Sequence, residues 1–176
     1  QLFFSSDMPG GFGEKDIYVS QFDEVKAVWQ TPKNLGNAVN TFDDDMFPFI
    51  SENNELYYAT KGKIGLGGLD IFEIHLENGK LKNLGAPINS CSDDFAYISD
   101  TTGLEGYFST NRSGNIDNIY GFKKQEVLIG ILRDIASEYP QVRDEIMKRL
   151  SSIAKDNEVI TIVHDVQWVS RSTWRQ

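Results

Sequence analysis

The sequence has few of the residues on which disulfide frameworks, metal sites and membrane spans depend. Its 176 residues include one cysteine, Cys91, and two histidines, His75 and His164. One cysteine excludes an internal disulfide and a Cys-rich zinc site, and two histidines leave a histidine-based metal site short of ligands. No apolar run approaches the roughly 20 residues of a membrane-spanning helix. We expect no bound metal, no cofactor and no transmembrane segment.

Basic residues are also scarce, and they are unevenly placed. Residues 1–122 contain 8 Lys and Arg against 18 Asp and Glu, whereas residues 123–176 contain 9 against 8. Neither segment has the dense Lys and Arg run that nucleic-acid phosphates attract, so nucleic-acid binding is not expected. Glycine changes at the same point, because 14 of the 15 glycines precede Phe122. We therefore predict two units, residues 1–122 and residues 123–176.

What the first unit does contain is a repeat: an aromatic strand, a glycine-rich loop and a strand led by Asp. Its copies are Phe3-Phe4 with Asp16-Ile-Tyr-Val19, Tyr57-Tyr58 with Asp70-Ile-Phe-Glu-Ile74, and Tyr107-Phe108 with Asp117-Asn-Ile-Tyr120. Asn34-Leu-Gly36 likewise recurs as Asn83-Leu-Gly85, 49 residues later. A period near 50 residues with four short strands per unit is typical of a β-propeller blade. The sequence predicts a mainly β chain, a partial β-propeller of about 2.5 four-stranded blades.

A partial propeller leaves unpaired strand edges and an exposed blade face. We expect that blades are missing, that another chain completes the ring by association through the open edges, or that the second unit covers the open side. Gln1-Leu-Phe-Phe-Ser5 already has the composition of a strand, which predicts a fragment or a processed form.

Residues 2–122 resemble a known family. The motifs are Ser5-Ser-Asp7, Pro9-Gly-Gly-Phe-Gly13, Asp16-Ile-Tyr-Val-Ser20, Trp29 with Pro32, Asn34-Leu-Gly36, Asn40-Thr41, Asp44-Asp-Met-Phe-Pro-Phe-Ile-Ser51 and Gly65-Leu-Gly-Gly-Leu-Asp-Ile-Phe72. Together they resemble the WD-like propeller repeats of periplasmic OmpA-family proteins, some of which belong to the type IX secretion and gliding apparatus of Bacteroidota. The resemblance implies a scaffold or interaction module without catalytic residues, periplasmic or associated with the outer membrane. Its partners would be cell-envelope proteins or a peptidoglycan-associated assembly.

Asp16, Asp70 and Asp117 occupy the same place in each repeat. Either they form a functional ring of carboxylates, or each accepts backbone N–H bonds from its own glycine-rich loop. Recurrence in every repeat favours the structural interpretation, which extends to the loop glycines Gly11, Gly13, Gly67 and Gly68.

Two further groups of residues carry a structural and a functional interpretation. Asp44, Asp45, Asp93 and Asp94 are weak candidates for a Ca²⁺ site, although the EF-hand spacing is absent and acidic turns that cap strands explain them equally. Trp29, Phe47, Tyr57, Tyr97 and Tyr107 are predicted to pack between blades, with a surface that binds peptides or glycans as the alternative.

The second unit has helical periodicity. Leu128, Ile131, Leu132, Ile135 and Tyr139 share one helix face. Pro140 separates this helix from a second one, which carries Val142, Ile146, Leu150 and Ile153. Val159-Ile-Thr-Ile-Val163 reads as a strand, so we predict a small α-rich tail of two helices and a strand.

We do not expect an enzyme, but two alternatives remain open. His164-Asp165 with Arg171 permit an effector or an enzyme with its activity in residues 123–176. The aromatic residues of the blades permit a glycan-binding propeller.

Overall fold

The structure, a computed structural model, describes residues 1–114, 116–127 and 160–168. Within these ranges the regular elements are all β-strands, so the prediction of a mainly β chain is confirmed. The strands are β1 (Leu2–Ser6), β2 (Asp16–Ser20), β3 (Phe22–Asp23), β4 (Val28–Trp29), β5 (Lys33–Asn34), β6 (Asp45–Ile50), β7 (Glu55–Thr60), β8 (Asp70–His75), β9 (Leu81–Asn83), β10 (Asp94–Ser99), β11 (Glu105–Thr110), β12 (Asn118–Val127) and β13 (Ile160–Trp168).

The strands form three open sheets in which all pairs are antiparallel. Sheet I contains β1, β2 and β5, sheet II contains β6 to β9, and sheet III contains β10 to β13. Strands β3 and β4 form a separate hairpin. All four strands of sheet II come from the repeat region, whereas the fourth strand of sheet III, β13, comes from the predicted second unit.

Sheet III joins the two predicted units. Strand β12 continues through residue 122 to Val127, and β13 pairs with it from Tyr120↔Trp168 to Val127↔Ile160. The strand predicted at Val159–Val163 corresponds to β13, whereas the two predicted helices lie outside the described residues. The division after residue 122 stays a prediction.

Strand register defines equivalent positions in the three sheets. Ser6 pairs with Asp16 in sheet I, Thr60 with Asp70 in sheet II, and Thr110 with Asn118 in sheet III. Every other position on these strands can be matched by counting from these pairs.

Two apolar clusters hold the sheets together face to face. The first interface, between sheets I and II, is built on Ile17, Val39, Leu56, Tyr58, Phe72 and Ile74. The second interface, between sheets II and III, is built on Tyr57, Ile71, Ile88, Tyr97, Phe108 and Phe122. Successive side chains of a strand point to opposite faces, so β7 and β8 of sheet II contribute to both clusters. This is why residues 56–60 are buried without interruption.

Strands β6 and β10 contain the same bulge, because their register to the next strand shifts at equivalent places. One residue of each bulge has a left-handed backbone, with φ 56° at Phe47 and 52° at Ala96. Positive φ is uncommon outside glycine, and here it marks the local distortion of the strand at each bulge. The residues that follow, Pro48 and Tyr97, are equivalent.

Candidate functional site

Asp16 and Asp70 close the glycine-rich loops that precede their strands. The N–H of Phe12 donates to Asp16 Oδ2 at 2.5 Å, and the N–H groups of Leu66 and Gly67 donate to Asp70 Oδ2 at 2.9 and 3.0 Å. Both carboxylates are buried. The loop amides hold them as the structural interpretation requires.

The third repeat differs at this position. The register places Asn118 where Asp16 and Asp70 stand, with Asp117 one residue earlier and exposed. The side-chain amide of Asn118 donates to the carbonyl of Ile116 at 2.7 Å. A carboxylate is thus buried at this position in sheets I and II, and an amide replaces it in sheet III.

The predicted glycines allow loops to touch at one end of the sheets. A Cβ at Gly11 would collide with the Asp16 carboxylate, and one at Gly13 with the Phe42 backbone. A Cβ at Gly67 would meet the backbone of residues 90–92, and one at Gly68 the Asp93 carboxylate. We call the surface formed by residues 7–15, 40–44, 61–69, 89–93, 111–114 and 116–117 the loop end.

The acidic pairs lie where one sheet passes to the next. Asp45 Oδ2 accepts the N–H and the hydroxyl of Thr41 at 2.5 and 3.0 Å, and Asp94 Oδ2 accepts the same two groups of Ser90 at 2.6 and 2.9 Å. Their neighbours are also bonded: Lys15 and Lys61 lie 3.1 and 3.8 Å from Asp44, and the Leu69 N–H and the Asn111 amide donate to Asp93 at 2.8 and 3.1 Å. No group of three or more His, Cys, Asp or Glu side chains is placed to hold a metal ion in the described part of the chain.

Asp45 and Asp94 differ in how the second carboxylate oxygen is satisfied. Arg112 donates to Asp94 Oδ1 at 2.6 Å and to the carbonyls of Pro87 and Ile88 at 2.9 and 2.5 Å. Asp45 Oδ1 is buried with no hydrogen-bond partner. Burial raises the pKa of Asp45 above its usual range, although the side chain of Thr60 and the two groups of Thr41 act to lower it.

Buried asparagines repeat a second motif. Asn40 accepts the N–H of Ile17 at 2.8 Å and donates to its carbonyl at 3.0 Å. Asn89 makes the same two bonds to Ile71 at 2.9 Å each. Each asparagine therefore satisfies the backbone of a strand from the linker that follows it.

Tyr57 and Tyr97 lie inside the second interface. Their rings stack at 4.5 Å, and Tyr97 stacks on Phe122 at 5.0 Å. Lys124 Nζ donates to the Tyr97 hydroxyl at 3.1 Å. Burial raises the pKa of both tyrosines and lowers the pKa of Lys124. Both tyrosines pack between sheets, as the packing interpretation expects.

Trp29, Phe47 and Tyr107 are exposed instead. Trp29 meets Phe22 edge to face at 5.2 Å on the β3–β4 hairpin, and Phe47 lies 4.9 Å from Phe95. The five predicted aromatics are therefore divided between one interface and separate surfaces, and they do not form a common platform.

The outer face of sheet III, which points away from sheet II, presents Ile98, Tyr107 and Ile119. Ile119 is 41% exposed, whereas the equivalent Ile17 and Ile71 are 0% exposed. Sequence reasoning assigned none of these isoleucines to a site, because the apolar pattern is the same in all three sheets.

The loop end carries five exposed apolar side chains. One is Phe42, and the other four, which sequence reasoning missed, are Phe12, Ile64, Leu66 and Ile116. Phe12 and Leu66 are equivalent and are 52% and 53% exposed. The amide of each is held by a buried carboxylate, so a fixed loop displays an apolar side chain.

His164 and Asp165 belong to β13, and Asp165 pairs with Lys123 of β12. Arg171 lies outside the described residues. In the ranges that the structure covers, no helix has the length and apolarity required to cross a membrane. No family model matches the sequence, and no curated protein matches it.

Proposed function

We propose that the chain is part of a β-propeller and that it works as a non-catalytic scaffold of the cell envelope, where it binds protein partners. The location in the envelope rests on the resemblance of residues 2–122 to the WD-like repeats of OmpA-family proteins. The buried carboxylates support a structural role, since Asp16, Asp70 and Asp94 accept hydrogen bonds from their own loops.

The single observation that carries the proposal is the outer face of sheet III. Tyr57 is 4% exposed under sheet III, whereas the equivalent Tyr107 is 46% exposed. Tyr107, Ile98 and Ile119 form an apolar strip on this face. The equivalent positions of sheet II face sheet III. Exposed apolar patches of this kind mark interaction surfaces.

The two internal interfaces indicate what covers such a face. Strand β6 packs on β1 and β2, and β10 packs on β7 and β8. The hydrogen bonds repeat as well, because the Asp45 N–H donates to the Lys15 carbonyl and the Asp94 N–H to that of Leu69, both at 2.7 Å. The partner proposed for sheet III therefore presents a further sheet of this repeat type, led by an Asp strand.

The loop end adds a second surface for a partner. Hot spots of protein interfaces are apolar anchors whose position is fixed by the structure beneath them. Phe12 and Leu66 meet this description, since each sits on a loop that a buried carboxylate closes.

The experiment compares three purified proteins by light scattering behind size exclusion: wild type, Ile119→Glu and Ile64→Glu. Ile64 is 99% exposed and lies at the loop end, so it controls for the loss of an exposed isoleucine. We expect an oligomer for wild type and Ile64→Glu and a monomer of 19.9 kDa for Ile119→Glu.

Where the partner is a different protein, wild type is a monomer and the three proteins are compared as baits in an envelope extract. The proposal then expects a protein retained by wild type and Ile64→Glu and lost from Ile119→Glu. The proposal would be contradicted if the wild type did not self-associate and also retained no protein in an Ile119-dependent way.

A further inference from the structure

An open cavity of ≈ 300 Å³ lies in the first interface, between sheets I and II. Phe3 and Val19 line it from sheet I, Ile74 and Leu76 line it from sheet II, and Val39 lines it from the linker. Gln1 supplies the one polar side chain among its described lining residues. The cavity therefore suits an apolar, uncharged group.

The equivalent position in the second interface is filled by a side chain. Counting along the register, Phe3 corresponds to Tyr57 and Ile74 to Phe122. In the second interface the ring of Tyr97 lies between these two aromatics, 4.5 Å from Tyr57 and 5.0 Å from Phe122. In the first interface the residue equivalent to Tyr97 is Pro48, which has no aromatic ring to place there.

The charged groups near Tyr97 also have no counterpart around the cavity. Lys124 donates to the Tyr97 hydroxyl in the second interface, and Glu73 acts on the same hydroxyl through its charge. Their equivalents around the cavity are Leu76 and Val19. The first interface thus lacks both the ring and the ionisable groups that surround it.

We propose that this cavity is a binding site for a neutral aromatic group of the size of a phenol ring. The repeat itself shows the occupant, since the fold accepts a tyrosine ring at this position one interface further on. Apolar cavities that are lined by aliphatic and aromatic side chains bind small aromatic molecules. The site is independent of the proposed scaffold function and of the outer face of sheet III.

The test uses the full chain and p-cresol (4-methylphenol), which is the small-molecule analogue of the tyrosine side chain. Ligand-detected NMR and calorimetry are expected to show saturable binding at one site, with a Kd of roughly 1 mM or below for so few atoms. A second arm uses the tripeptide Gly-Tyr-Gly with blocked ends, and binding of this peptide identifies a protein side chain as the source of the ring. Binding of p-cresol alone identifies a free small molecule.

The matched variants are Pro48→Tyr and Pro48→Ala. Tyrosine is compatible with this bulged backbone because Tyr97 adopts it, so Pro48→Tyr fills the cavity and removes p-cresol binding. Pro48→Ala leaves the cavity open and is expected to bind as wild type does. Should Pro48→Tyr fail to fold, Ala38→Trp blocks the cavity from its lining.

Two results would overturn the proposal. One is the absence of saturable p-cresol binding to wild type up to about 10 mM, well above the affinity expected for a ligand of this size. The other is binding of equal strength to wild type and to the folded variant whose cavity is filled or blocked.

Discussion

The two interfaces between sheets share one backbone frame and differ in what fills it. The frame comes from polar residues that recur in register, such as Asn40 and Asn89, which bond the backbone of Ile17 and Ile71 in the same way. The filling does not recur, since the first interface has a cavity where the second has the Tyr97 ring. This repeat therefore keeps the polar groups that satisfy the backbone hydrogen bonds, whereas its side-chain packing changes from one interface to the next.

The interfaces also differ in charge. Arg112 pairs with buried Asp94 in the second interface, whereas the equivalent Asp45 keeps an oxygen without a hydrogen-bond partner. The position equivalent to Arg112 is Gly62, which packs against Thr41 and offers no cation.

The largest effect is expected from Arg112→Met, which removes the cation from the second interface and leaves the Asp94 carboxylate buried. Loss of one partner of a buried pair costs about 3–5 kcal/mol of the free energy of unfolding, and urea denaturation measures it. Lys15→Met is the control, because its ion pair with Asp44 is exposed. A similar, small loss in both variants would mean that Arg112 does not hold the second interface.

The shared frame is tested by Asn40→Ala and Asn89→Ala. Each leaves the buried N–H of Ile17 or Ile71 without an acceptor, whereas the carbonyl keeps its bond from the N–H of Leu35 or Leu84. The unpaired N–H costs about 1–3 kcal/mol. Both variants are expected to lose similar amounts in urea denaturation, since the hydrogen bonds are the same. A loss confined to one asparagine would break the equivalence of the two interfaces.

Pro48→Tyr places in the first interface the aromatic ring that Tyr97 supplies in the second. Pro48→Tyr is expected to raise the free energy of unfolding by about 1 kcal/mol, as cavity-filling substitutions commonly do. Pro48→Ala adds no ring and serves as the control in the same thermal denaturation. A Pro48→Tyr protein less stable than Pro48→Ala would show that the cavity does not correspond to the place of Tyr97.

The smallest effect concerns pH. Burial raises the pKa of folded Asp45 above its unfolded value, so the folded state binds this proton more readily and the wild type gains stability as pH falls through the folded pKa. Relative to wild type, Asp45→Asn is therefore expected to be most favourable at pH 7 and to lose this advantage towards pH 4.

Asp100→Asn is the control for this pH dependence. The Thr102 hydroxyl lowers the pKa of Asp100, so the stability from this carboxylate is present above its unfolded pKa and is lost as pH falls through the folded pKa. The two variants are expected to change in opposite directions in denaturation curves measured between pH 3 and pH 7. Parallel curves would contradict the assignment for Asp45.

Much of this shared backbone frame could be predicted from the sequence. The repeat predicted the positions of β7, β8 and β11 to within one or two residues, because short aromatic runs between glycine-rich loops leave little freedom. It also favoured the structural interpretation of Asp16 and Asp70, with which their hydrogen bonds to loop amides agree.

Other features could not be read from the sequence. The third loop is shorter than the second, so the register moves Asn118 and not Asp117 to the position of the carboxylate. The bulges place Phe47 and Ala96 at positive φ, and neither is a glycine or an asparagine that would have indicated it. Pro48 stands where the second interface has Tyr97, and this equivalence is visible only in the register.

The most direct test of the proposed scaffold function is to measure whether the outer face of sheet III is covered in the cell envelope. Tyr107→Cys, in a chain whose exposed Cys91 is changed to Ser, is labelled with a maleimide in the purified protein and in intact envelope fractions. Ile64→Cys at the loop end is the matched control. We predict that Tyr107→Cys reacts in the purified protein at low concentration and is protected in the envelope, whereas Ile64→Cys reacts in both. Equal labelling of Tyr107→Cys in both preparations would contradict it.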